Sequence, residues 1–202
     1  MPTVATQSGV VPLNGCRILS AVEIKTVEQA IAADPKLSDL RNVIHILLHT
    51  GIRPGELAQL RWTDIDLCKM VITVGEKSHR RLVPFSDDTQ ALLSAMCCSN
   101  HAGAVFVLGK SPAAMLRRLA RQLRQLSSSL GIKPHSFYAL RCTWACRMLA
   151  AGLPPYAFAA IGGWSVAGMV PNVRHPSVSS VGCSYRDAVK VIQQEGASKK
   201  NG

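Results

Sequence analysis

The stretch LLHTGIRPGELAQLRWTDIDL, Leu47 to Leu67, reads as the end of one helix, a sharp stop, a second short helix and an exit strand. Leu37, Leu40, Val43, Ile44, Leu47 and Leu48 fall on one helical stripe, so a helix leads into it. Thr50-Gly51 ends that helix. Arg53-Pro54 opens the next, with Pro54 in the first turn, where a missing N–H costs nothing. Glu56 lies three residues after Arg53, one helical turn away, and can orient its guanidinium. The alternative is an exposed Arg at a helix start, with a Glu that merely favours the helix dipole.

The pattern continues on both sides. Ser20 with Glu23 has capping-box spacing, which starts a helix that Asp34-Pro35 stops after Ala33. Downstream, Trp62 to Asp66, Met70 to Val74 and Arg81 to Phe85 read as three short strands, with a polar hairpin connection at Gly75 to Arg80. Helices are expected over Asp87–Cys97, Pro112–Leu130, Ser136–Ala151, Pro155–Ile161 and Tyr185–Gln194, punctuated by Gly131, Gly152 and Gly162-Gly163. The fold class is α+β and mostly helical, with a small three-stranded antiparallel sheet. Residues 1–15 read as a flexible arm, 16–195 as one domain and 196–202 as a disordered tail.

Hydrophobic residues make up 48% of the 202, enough for a core, which excludes wholesale disorder. Aromatics are only 5%, so that core should be aliphatic. Lys and Arg number 23 against 12 Asp and Glu, a formal net charge of +11; so basic a chain points to a polyanionic partner, nucleic acid or an anionic membrane. The apolar runs fall far short of the roughly 20 residues that cross a bilayer. The N-terminus lacks the basic start and apolar block of a signal peptide. No membrane association is expected, and the cytoplasm is the expected location. Cys16, Cys68, Cys97, Cys98, Cys142, Cys146 and Cys183 are scattered, with no CxxC pair. That spacing suits buried thiols in a reducing compartment, not a disulfide scaffold or a zinc knuckle.

Four segments resemble the tyrosine recombinases, the phage integrase family. The stretch from Leu47 to Leu67 resembles the first box, with Arg53 as its Arg. MVITVGEKSHRRLVPFS resembles the hairpin that carries a Lys, here Lys77, before a basic strand ending in Val-Pro. PHSFYALRCTWACRMLAAGL resembles the His-x-x-Arg box; Arg141 fills the Arg, Tyr138 stands where the His belongs, and His135, six positions before Arg141, is the alternative stand-in. AAIGGWSVAGMVPNVRHPSV resembles the next box, with Trp164 in the position that His or Trp occupies.

The resemblance implies strand transesterification on double-stranded DNA, hence DNA integration or site-specific recombination of a mobile element. Two guanidiniums fork onto the phosphate oxygens, a Lys protonates the departing 5′ oxygen, and a Tyr hydroxyl attacks phosphorus. No metal or nucleotide cofactor is implied, and the sequence contains no P-loop, EF-hand or HExxH pattern. Assembly as a homo-oligomer on paired DNA sites is implied as well. The nucleophile is expected nine positions after Trp164, but position 173 is Val, framed by Arg174 and His175. Tyr185 is the only tyrosine further on; it is either a nucleophile delivered by a flexible stretch from Pro176 to Gly182, or an ordinary residue of the tail helix. The resemblance covers nearly all of the chain but only the catalytic half of such an enzyme. Additional DNA contacts are expected from Arg80, Arg81, His135 and the stripe Arg117, Arg121 and Arg124. The competing functions are a catalytically silent DNA-binding relative and a basic helical protein-interaction domain.

Overall fold

The computed structural model describes residues 5–6, 9–10, 17–75, 80–99, 111–164 and 178–198. Two short strands, β1 (Ala5–Thr6) and β2 (Gly9–Val10), pair antiparallel within the expected arm. Helix α1 (Ala21–Ala33) starts at Ser20, whose hydroxyl accepts from the Glu23 N–H, while the Glu23 carboxylate accepts from the Ser20 N–H at 2.8 Å. A 3-10 turn at Pro35–Leu37 leads into α2 (Ser38–Thr50). Gly51 closes α2 at φ 67°, its N–H donating to Leu47 O at 3.2 Å. A Cβ at that position would sit 2.2 Å from the Trp144 ring, so both conformation and space demand glycine. Helix α3 (Pro54–Gln59) follows at once.

Strands β3 (Ile65–Asp66), β4 (Val71–Val74) and β5 (Arg81–Pro84) form one antiparallel sheet in that order, with Val74 opposite Arg81 and Ile72 opposite Val83. The remaining helices are α4 (Asp87–Ser99), α5 (Pro112–Ser129), α6 (Phe137–Ala150), α7 (Pro155–Gly162) and α8 (Val178–Ser198). Helix α6 buries residues on nearly every side, including Leu140, Trp144, Ala145 and Met148, as a central helix must. It packs against α2, α7 and α8, and it therefore carries Arg141 into the interior.

Three expectations need correction. Trp62–Asp64 is a 3-10 turn, and only Ile65–Asp66 pairs as strand, because the Asp64 carboxylate accepts from the Arg61 N–H at 3.0 Å and closes the turn. Helix α8 begins at Val178 and runs to Ser198, so it replaces both most of the expected flexible stretch before Tyr185 and the start of the expected tail. Val181, Tyr185, Ala188 and Val189 bury one stripe of it, and that burial holds the helix in place. The core is also less purely aliphatic than composition suggests: Phe85, Trp144, Phe158 and Tyr185 are fully buried.

Candidate functional site

Three guanidiniums converge on the carbonyl end of α7. Arg53 Nη2 donates to Gly163 O at 2.8 Å, Arg141 Nη2 to Gly162 O at 2.6 Å and Arg81 Nε to Ile161 O at 2.7 Å. A helix end exposes unsatisfied carbonyls and a partial negative charge, so three consecutive carbonyls make a natural seat for cations. Arg141 Nη1 also donates to Gly51 O, which ties the stop of α2 to the end of α7. The first two expected site arginines, far apart along the chain, thus meet.

Glu56 binds the cluster together. Its carboxylate takes a fork from Arg81, Nη1 to Oε1 at 2.6 Å and Nη2 to Oε2 at 2.8 Å, and accepts Arg53 Nη1 at 2.8 Å and the Arg53 N–H at 2.7 Å. Burial opposes its ionisation, but the hydrogen bonds from Arg81 and Arg53 and the charge of Arg81 prevail and hold its pKa at about 2. A carboxylate held low in the folded state contributes stability above its ordinary value of 4.5, and that contribution is lost as pH falls toward 2. Glu56→Gln should therefore flatten the stability profile between pH 5 and pH 2, as read from urea midpoints; an unchanged acid limb would contradict the pairing.

Burial, and then the neighbouring cations of Arg53 and Arg81, lower the Arg141 pKa to about 10. It stays charged at neutral pH. Its Cζ lies 4.1 Å from the Trp164 ring centroid, a cation–π contact. Trp164 stacks on Phe158 with centroids 4.5 Å apart. The indole lies so close over Gly162 that a Cβ there would be 1.7 Å from it. Gly162, which the sequence offers as punctuation, is thus the floor on which the indole rests.

The cluster opens unevenly to solvent. The Arg53 side chain is 47% exposed, that of Arg81 10%, and Arg141 as a residue only 1%. Arg53, Arg61, Arg80 and Arg81 line a groove of about 790 Å³ between α3 and the sheet. Lys77 lies outside the described residues, while Gly75 and Arg80, the nearest described residues on either side, both line this groove. Val173, Arg174 and His175 also lie outside the described residues.

The other expected residues are placed variously. Tyr138, one turn before Arg141 on α6, is 48% exposed. Arg117, Arg121 and Arg124 are exposed on α5, opposite its buried Met115, Leu119 and Leu123, and α5 packs on α3. Arg118 is instead paired with Asp39 at 3.1 Å. His135 is buried; burial first and the Arg17 cation second lower its pKa. At 7% exposure it offers almost no surface to a ligand, and it does not join the cluster.

Tyr185, the tyrosine downstream of Trp164, lies on α8. It is fully buried, and its hydroxyl donates to His49 O at 2.6 Å. Burial raises its pKa, the wrong direction for a nucleophile. Tyr185→Phe should lose one hydrogen bond, about 1 kcal/mol, measured by urea denaturation; a loss several times larger would mean the hydroxyl does more than cap a carbonyl.

What sequence reasoning missed is that Arg81 is an inner member of the cluster. Strand alternation carries the signal, because Arg81 shares a face with Val83, and Val83 is fully buried.

The model of the phage integrase family matches residues 17–178. The chain is 27% identical over 150 residues to the integrase of Salmonella phage P22, covering 67% of this chain and 39% of that protein. It is 30% identical over 155 residues to tyrosine recombinase XerC of Xanthomonas campestris pv. campestris, covering 73% and 48%. The chain thus spans less than half the length of these curated relatives. Among solved structures, XerA recombinase superposes with TM-score 0.61 at 22% identity, over 92% of this chain and 66% of that one. The Tn1549 transposon integrase in complex with a circular intermediate DNA gives TM-score 0.65 at 18% identity, over 86% and 66%.

Proposed function

The chain belongs to the phage integrase family, and from that premise we propose that it grips one phosphate of double-stranded DNA in integration or site-specific recombination. The observation that carries this reading is the gathering of Arg53, Arg81 and Arg141 on the last carbonyls of α7, beside a groove lined by four arginines. Arg53 is the half-exposed member and meets the phosphate first, through the N–H groups that Glu56 and Gly163 O leave unused. Arg141, held beneath, supplies the second positive charge. Tyr138 offers a hydroxyl in place of the imidazole, Trp164 keeps Arg141 seated, and Lys77 adds a further cation, the general acid once a nucleophile is restored. Arg80, with Arg117, Arg121 and Arg124, follows the flanking backbone. Residues 16–195 form the DNA-engaging domain, which works in the cytoplasm and assembles as a homo-oligomer on paired sites.

The burial of Tyr185 and the Val at position 173 favour a chain that binds DNA without cutting it. Two measurements test these readings. In a gel shift with a short duplex at low salt, binding is expected and should weaken steeply as salt is added. No shift at any salt would sink the DNA reading and favour a protein-interaction domain. On a nicked suicide substrate the natural chain should form no covalent adduct, and Val173→Tyr should form one. An adduct with the natural chain that is lost in Tyr185→Phe would overturn the non-cutting reading.

A further inference from the structure

We infer that Arg81 is a positioning residue for Arg53 rather than a DNA contact, an inference that rests on the proposed phosphate-binding role of the cluster. Three observations carry it. Each guanidinium nitrogen of Arg81 makes a hydrogen bond within the protein: Nε to Ile161 O at 2.7 Å, Nη1 and Nη2 to the two oxygens of Glu56 at 2.6 and 2.8 Å. Its side chain is 10% exposed against 47% for Arg53. The Gly163 backbone lies against its shaft, so that a Cβ there would be 3.1 Å from Arg81 Cδ and Nε.

The consequence is mechanical. Arg53 is held by two acceptors, Glu56 Oε1 and Gly163 O. Arg81 fixes the first by its fork and braces the second through the Gly163 backbone. A planar fork does this and an ammonium does not, since Lys offers a single point of charge and no second parallel bond. Arg81→Lys keeps the charge but loses the brace.

The test is a double-mutant cycle on duplex affinity. Arg53→Ala should weaken binding by about tenfold or more, as for loss of a charge-assisted hydrogen bond. Arg81→Lys should weaken it comparably, and the double variant should be little worse than either single one. Glu56→Gln, which keeps size and shape, should behave like Arg81→Lys and guards against a folding defect in that variant. Native affinity in Arg81→Lys, or losses that multiply in the double variant, would overturn the inference, because residues that act through one another do not lose affinity independently. Should the natural chain bind no duplex, the DNA reading fails and the positioning role is decided in the free protein. There, the Arg53 Nε–H order parameter measured by NMR should fall in Arg81→Lys; an unchanged value would overturn the brace.

Discussion

Arg141→Ala should lower stability by about 3 kcal/mol and abolish duplex binding. Removing the side chain strands the carbonyls of Gly51 and Gly162 without their donor, and each buried acceptor left unpaired costs about 1–3 kcal/mol. It also opens a void beneath Trp164, whose ring lies 4.1 Å from the guanidinium. Part of this loss is offset, because burial and two neighbouring cations already disfavour the charge. For a chain of this size about 3 kcal/mol corresponds to roughly 10 °C in Tm, measurable by calorimetry. Arg141→Met separates the two contributions: it refills the volume but restores no hydrogen bond, so it should recover stability in part and binding not at all. A variant as stable as the natural protein would mean that the two carbonyls find other donors.

Gly51→Ala should be comparably severe, from a different cause. Its φ of 67° disfavours a Cβ by about 1–2 kcal/mol, and that Cβ would sit 2.2 Å from Trp144, which is fully buried and cannot swing away. Overpacking adds about 1–3 kcal/mol, for a total near 3 kcal/mol. Gly131 is an internal control: it has the same φ of 67° but nothing within 4 Å of its Cβ, so Gly131→Ala should cost only about 1 kcal/mol. Equal urea midpoints for the two variants would show that backbone strain alone governs both sites.

Local rules made much of this legible in the sequence. The Ser20–Glu23 box, the stop at Gly51 and Pro54 in a first turn depend on neighbours along the chain, and each is found where the spacing places it. The helix around Tyr185 is longer than its local pattern indicates, because Val178–Ser184 lacks strong start signals; its order comes from packing of Val181 and Tyr185 on other elements, which no local rule sees. At the candidate site the resemblance pointed to Arg53 and Arg141, and chain order concealed how they are held. The carbonyls of Ile161, Gly162 and Gly163 are backbone atoms, present in every sequence, and only the folded arrangement turns them into a common seat. Arg80 and Arg81 look alike as a basic pair, yet one faces solvent and the other forks onto Glu56. Strand alternation separates them once one face of β5 is known to be buried.

The most direct measurement is an NMR titration of the arginine Nε–H signals with a short DNA duplex at low salt. The signals of Arg53 and Arg141 should shift together and saturate at one Kd, with weaker, salt-sensitive shifts at Arg117, Arg121 and Arg124. Shifts confined to the α5 stripe, with Arg53 and Arg141 unmoved at saturation, would contradict a phosphate bound at the end of α7.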